Sequence, residues 1–190
     1  MSDSSRPVAL VSGAARRIGA AIARALHAAG YDLAVHANHS RDALAQLVDE
    51  LERARPGSAL AVHADLADAD AGTELVATTL ARFGRLDALV NNASTFRPTP
   101  LGTITPADWD ELFSINARAP LLLSQAAAEA LRASRGAIVN LTDIYAERPL
   151  ADHAVHGPVY GDAHTHHHHA SHHQHDHVPV VRSPFEGGGQ

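Results

Sequence analysis

Over residues 7–150, short apolar runs alternate with longer stretches whose apolar positions recur every three or four residues. The runs VALVS (8–12), DLAVHA (32–37), ALAVHAD (59–65), ALVNNA (88–93) and AIVNLTD (137–143) are apolar at successive positions. That is the pattern of strands buried on both faces. A first helix is predicted from about Arg17 to Ala29, with Gly30 as its stop. A second has Ser40 as N-cap, carries Leu44, Leu47, Val48 and Leu51 on one face, and ends at Pro56-Gly57. Val76, Leu80 and Phe83 stripe a third, closed by Gly84. In TPADWDELF, Thr105 is the cap, Pro106 the first helical position and Asp108 the third, opening a long helix. Strands and helices alternating at this spacing predict an α/β fold, a doubly wound parallel sheet in three α/β/α layers.

The pattern stops after Leu150. Eleven of the fifteen histidines lie between His153 and His177, and RSPFEGGGQ closes the chain. Two regions are therefore expected: an α/β domain over 1–151 and a His-rich tail over 152–190. The tail carries too little apolar surface to offset its ordering entropy, so it is expected to be disordered. No sixth strand is evident, which leaves the fold incomplete on its C-terminal side.

Composition narrows the partners. The net charge of -6 argues against nucleic acid or an anionic membrane, both of which need a basic face. Without cysteine there is no disulfide or thiolate chemistry. The most apolar stretch, APLLLSQAAAEALRA (119–133), is broken by Gln125, Glu129 and Arg132 and is too polar for a membrane span. The polar MSDSSRP runs directly into the first strand and predicts no secretory leader, so a cytoplasmic location is expected.

VSGAARRIGAAIA (11–23) follows a strand and opens a helix, the context in which a glycine loop cradles a dinucleotide pyrophosphate. Gly13 suits the sharp turn and Gly19 the close packing of helix on sheet. Arg17 stands where the usual fingerprint has its middle glycine, and an arginine there adds a charge-assisted phosphate contact. An NAD site would place Asp or Glu at the end of the second strand. Here the stretch is HANHSR (36–41), with no carboxylate. A 2′-phosphate would meet His39, Ser40 and Arg41, which favours NADPH over NADH.

SGAARRIG, HADLAD, NNAS and the Asn116 of LFSINARAP together resemble the short-chain dehydrogenase/reductase family, over roughly residues 7–151. Arg17, NNASTFRPTP and NLTDIYAERPL resemble its pteridine reductase branch. Ser12 in place of the usual threonine keeps the hydroxyl. The resemblance implies a Rossmann-like fold, NADP as cofactor and a pterin or folate-like small molecule as substrate. It puts Ile18, Asp65, Leu66, Asn91, Asn92, Ala93 and Ser94 along the nucleotide. It makes Phe96 a stacking platform for the pterin ring, with Ser94 beside it, and Asp143 a proton donor to a ring nitrogen. Asn116 and Asp143 are candidate catalytic residues on the same ground. No metal belongs to this reading.

The family mechanism also needs a tyrosine and, one helical turn on, a lysine that lowers its pKa. All fifteen basic residues here are arginine. Counting thirteen residues from Asp143 reaches His156, which leaves Tyr160 in the lysine position. A four-residue insertion instead pairs Tyr160 with His164. Neither placement restores the pair, and Gly157, Pro158 and Gly161 oppose the helix that carries it. The resemblance implies a family-type homo-oligomer that meets through that helix, a contact this chain lacks if the helix does not form. The uncovered sheet edge predicts marginal stability or association. Two other functions stay open: a catalytically impaired nucleotide-binding fragment, and a His-rich metal-binding protein on this scaffold. The tract HTHHHHASHHQHDH (164–177) is a metal sink, an artificial extension or the product of a shifted reading frame.

Overall fold

A computed structural model describes residues 6–143 and 151–155. Five strands, β1 (Val8–Val11), β2 (Asp32–Ala37), β3 (Ala59–His63), β4 (Ala88–Asn91) and β5 (Ala137–Asn140), form one parallel sheet in the order β3-β2-β1-β4-β5. This is the doubly wound order, in which the chain changes direction of travel across the sheet between β1 and β4. Among the described residues β5 is an edge strand.

The helices divide between the two faces. On one, α1 (Arg17–Ala28) and α2 (Arg41–Ala54) bury Ala20, Ala23, Leu44, Leu47 and Leu51 against Val11, Leu33 and Val35. On the other, α3 (Ala71–Phe83) and α5 (Ala119–Ser134) bury Leu75, Val76, Leu123, Ala127 and Leu131 against Val8, Leu10 and Leu89. Two apolar layers, one on each face, account for strands that read as continuous apolar runs. Gly84 closes α3 in the left-handed conformation, as its position predicts.

Three details depart from the sequence pattern. β2 matches its apolar run, but the other four strands end one to three residues before theirs do, so Asp65, Asn92–Ala93 and Leu141–Asp143 fall into loops. The long helix opened by Thr105 comes in three parts, α4 (Pro106–Phe113), a π-helical turn (Ser114–Arg118) and α5. Pro120 supplies the reason: it has no N–H to offer the Asn116 carbonyl, and its ring would clash there. Ser40 holds the N-cap position of α2, but its side chain makes no capping hydrogen bond. By contrast Thr105 and Asp108 form the full capping box.

The described start of the second region, Asp152–Val155, docks on the loop after β4. Thr99 N–H donates to the Asp152 carbonyl at 2.6 Å, and Val155 N–H donates to Thr99 Oγ1 at 3.1 Å. Val155 is buried. His156, Tyr160, His164 and the rest of the histidine tract lie outside the described residues. Among the described residues no helix is long and apolar enough to cross a membrane.

Candidate functional site

A cleft of about 1690 Å³ opens at the carboxyl ends of the strands, where the sheet order reverses between β1 and β4. Ligands of doubly wound sheets bind at such a switch point. Its floor is the turn from β1 into α1. Gly13 has φ +64°, and a side-chain carbon there would lie 2.7 Å from the Ala93 Cα, so the turn admits only glycine. A side chain on Gly19 would strike the Gly13 carbonyl and lift the helix from the loop. The first turn of α1 contains no acid, and Arg16, Arg17 and Ile18 all line the cleft. Free N–H groups, a positive helix end and two guanidiniums together suit a pyrophosphate.

Arg17 keeps more of the missing glycine than its position. Its φ is +51°, in the left-handed region that side chains normally avoid. The turn requires that backbone geometry, and the arginine adopts it.

Polar side chains fasten this loop to its neighbours. Ser12 Oγ accepts from the N–H groups of Asn92 and Ala93, each at 3.0 Å. Asn92 Nδ2 returns two hydrogen bonds, to the Ser12 carbonyl at 3.0 Å and the Gly13 carbonyl at 2.9 Å. On the other side, Gly13 N–H donates to His36 Nδ1 at 3.3 Å, and His36 Nε2 lies 3.0 Å from the Ala64 carbonyl. Because Nδ1 accepts, the proton sits on Nε2 and the ring is neutral. Burial drives its pKa below the ordinary histidine value, against the Ala64 hydrogen bond, which acts to raise it. The ring thus ties the end of β2 to the glycine loop and to the end of β3.

The walls come from the loops after β3, β4 and β5. Asp65 turns its own loop by accepting from Ala67 N–H at 2.9 Å, and Leu66 is buried beside it. In the loop after β4, Asn116 in the π-helical turn grips Thr95 from both sides. It accepts from Thr95 N–H at 2.9 Å and donates to the Thr95 carbonyl at 2.8 Å. Arg97 bridges to Asp108 at 2.6 Å and to Glu111 at 2.8 Å, which binds the same loop to α4. The Thr105 backbone N–H, then the Arg97 guanidinium, hold the Asp108 carboxyl at a pKa of about 2. Ser94 and Phe96 are thereby presented to the cleft, and Phe96 remains 46% exposed. The third wall, Leu141–Asp143, hangs from Asn91 through a Leu141 N–H to Asn91 carbonyl bond of 2.9 Å.

Of the residues singled out in the sequence, Gly13, Arg17, Ile18, Gly19, His39 and Asp65 line this one cleft. So do Leu66, Asn92, Ala93, Ser94, Phe96 and Asp143. Ser40 and Arg41 stand just past its rim at the start of α2. Asn116 and Asn91 line a smaller adjoining cavity of about 340 Å³ instead.

Residues 7–161 match the sequence profile described as short chain dehydrogenase. The chain belongs to the short-chain dehydrogenase family. Its similarity to pteridine reductase 1 of Leishmania tarentolae is 35% identity, covering 76% of this chain and 63% of that protein. A 3-oxoacyl-[acyl-carrier-protein] reductase of Synechocystis is 39% identical over 72% of this chain and 56% of its own length. Among solved structures, a blue fluorescent protein from a metagenomic library, in complex with NADPH, superposes with a TM-score of 0.75 at 36% identity. It is covered over 63% of its length, and 81% of this chain is matched. The chain therefore spans about three fifths of the length of these short-chain dehydrogenase relatives.

Four parts of the site went unread in the sequence. His36 was passed over because its role is a side-chain bond to backbone, which leaves no periodic trace. Trp109 and Phe113 stack at 3.9 Å on the cleft side of α4. Their i, i+4 spacing was the available signal. Arg118 donates to the Ala67 carbonyl at 2.5 Å and lines the cleft from the helix opposite Asp65.

Proposed function

We propose that this chain is the NADPH-binding part of a reductase that acts on planar C=N heterocycles of the dihydropterin or dihydrofolate type. The observation that carries this reading is the meeting of Arg17, Ser94, Phe96 and Asp143 around one cleft whose floor suits a pyrophosphate. The 2′-phosphate preference has its own support. The end of β2 offers His36, Asn38 and His39 to the cleft and no carboxylate, while the Ser40 hydroxyl is not used to cap α2. NADPH, when bound, supplies the hydride. Arg17 and the start of α1 hold its pyrophosphate, and His39, Ser40 and Arg41 hold the 2′-phosphate. Phe96 would orient the substrate ring, and Asp143 would pass a proton to a ring nitrogen.

The absence of lysine from the whole sequence favours a second part to the reading, that turnover by this chain is impaired while binding persists. Trp109 is the sole tryptophan and lines the cleft, so its fluorescence reports occupancy directly. Titration with NADPH and NADH is expected to show tighter NADPH binding; equal or reversed affinities refute the cofactor assignment. Oxidised biopterin is expected to bind the NADPH-loaded chain, and failure to bind refutes the substrate class.

A further inference from the structure

The loop after β3 brings Asp65, Leu66 and Ala67 to the cleft, and most of its hydrogen bonds are its own. Ala67 N–H donates to Asp65 Oδ1, Asp68 N–H to the Asp65 carbonyl at 3.0 Å, and Ala71 N–H to the Asp68 carbonyl at 3.3 Å. Among the described residues, a single hydrogen bond joins 65–70 to a distant segment. It runs from Arg118 Nη2 to the Ala67 carbonyl, at 2.5 Å.

The π-helical turn puts Arg118 there. Asn116 and Arg118 stand two residues apart, so they project to different sides of the turn. Asn116 grips Thr95 in the loop after β4, and Arg118 reaches the loop after β3. One turn thus holds two walls of the cleft. Just beyond it, a side-chain carbon on Gly72 would lie 3.1 Å from the Leu123 nitrogen, so α3 starts directly on the backbone of α5. Leu66 and Ala71 are buried in the same core as Ala119 and Leu123. Apolar packing therefore fixes the two ends of the loop, and the guanidinium fixes the turn between them.

On the cofactor reading above, the pyrophosphate lies on the turn from β1 into α1 and the 2′-phosphate at the end of β2. The substrate lies by the loops after β4 and β5, which leaves the adenine on the β3 side of the cleft. There Asp65 Oδ1 is taken up by Ala67 N–H, while Oδ2 accepts no hydrogen bond among the described residues. The amino group of adenine is a donor suited to that oxygen. We propose that Arg118 is a positioning residue for the adenine end of the cleft. It holds the Ala67 carbonyl, and with it the turn that presents the Asp65 carboxylate to the base. A loop held before the ligand arrives has less ordering entropy to lose on binding. The inference rests on the NADPH reading for the identity of the ligand, and on the described contacts for the tie.

The test uses the full chain in three forms, unaltered, Arg118→Ala and Arg118→Lys, the last keeping a charged donor. Hydrogen exchange of the unliganded protein is read by mass spectrometry on the peptide spanning 64–72. It is expected to quicken about 3- to 10-fold in Arg118→Ala, the worth of one hydrogen bond, and to return toward the parent rate in Arg118→Lys. Trp109 fluorescence titrations then compare NADPH with its hypoxanthine counterpart, in which a carbonyl replaces the amino group and the phosphates and riboses are the same. The unaltered chain is expected to prefer NADPH. Arg118→Ala is expected to narrow that preference about 3- to 10-fold, and Arg118→Lys to restore it. Unchanged exchange over 64–72 in Arg118→Ala overturns the tie. Faster exchange with an unchanged base preference overturns the positioning role. So does an equal loss for both nucleotides, which would make Arg118 a direct contact of their shared phosphates or riboses. A loss in Arg118→Lys as large as in Arg118→Ala overturns the hydrogen bond as the cause. Absence of binding of either nucleotide to the unaltered chain overturns the NADPH reading instead, and the exchange rates still decide whether Arg118 holds the loop.

Discussion

Arg17 combines a strained backbone with a charge proposed to meet the cofactor pyrophosphate, and two substitutions separate them. In Arg17→Ala the guanidinium goes and the left-handed backbone stays. In Arg17→Gly both the charge and the strain go. A side-chain-bearing residue at φ +51° costs about 1–2 kcal/mol against glycine. Glycine returns about 0.4–1 kcal/mol of that through the greater freedom of its unfolded chain. The net expectation is that Arg17→Gly is more stable than either the parent or Arg17→Ala by about 0.5–1 kcal/mol. In a chain of this size that is a rise in Tm of about 1–4 °C.

Affinity should follow a different order. Arg17 is solvent-exposed, so its hydrogen bond to a phosphate lies at the low end of charged contacts, about 1–2 kcal/mol. Losing it weakens both NADPH and NADH by about 5- to 30-fold in either variant, and less at high salt. Thermal melts of the three apoproteins, with Trp109-monitored titrations, give both orders. Equal Tm values for the glycine and alanine variants would refute the strained backbone. Unchanged affinity in Arg17→Ala would refute the phosphate contact. A loss confined to NADPH would move Arg17 from the pyrophosphate to the 2′-phosphate.

Three further outcomes are expected. Ser12→Ala leaves the Asn92 and Ala93 N–H groups without their acceptor, which should cost about 1–3 kcal/mol in urea unfolding; Ser12→Thr, keeping the hydroxyl, should not. His36 titrates below 6.5 in the folded chain because it is buried, with His63 pushing the same way and Asp65 opposing. The unfolded chain therefore takes up that proton first, and stability should fall as pH drops below about 6.5. His36→Phe should flatten that slope, and an unchanged slope would assign it elsewhere. Steady-state reduction of dihydrobiopterin should run below about 1 s⁻¹, since a missing positioned proton donor costs about 10²- to 10⁴-fold. Faster turnover that disappears in Tyr160→Phe or His156→Ala would reveal a substitute relay.

The sheet was legible because its signal is repeated. Each strand is apolar on both faces, each helix has its own stripe, and an error at Ala64 or Asn92 changes a boundary without changing the order. The cleft was legible in part for a different reason. Gly13, Gly19 and the missing acid after β2 answer to backbone geometry and charge at fixed places, and those places follow from the strands. What could not be read is which side chains turn back onto main chain. His36 looked like one more residue of an apolar strand, and Asn116, singled out only through the family resemblance, gave no sign in the helical pattern of the loop it grips. Each acts through two hydrogen bonds to segments 20 or more residues away, and no local period encodes such a partner. The π-helical turn was written in Pro120, but only its consequence at Asn116 shows why an interrupted helix is useful there.

These ties bear on how binding relates to turnover. The glycine loop is anchored by Ser12 and Asn92 on one side and His36 on the other. The loop after β4 is anchored by Asn116 and Arg97. Each of these five anchors lies within residues 6–143 and is made to main chain or to a carboxylate of the same stretch, and Thr99 of the second loop is tied in addition to Asp152 and Val155. A cofactor cleft held this way is preorganised by the described domain alone, so nucleotide binding has little ordering entropy left to offset. Proton delivery makes a further demand, a donor at a fixed distance from a substrate atom. Of the proposed donors, Asp143 lies in the stretch that lines the cleft, while Tyr160 and His156 lie outside the described residues. On the reading proposed above, the missing lysine would slow turnover and leave the contacts that shape the cleft as they are.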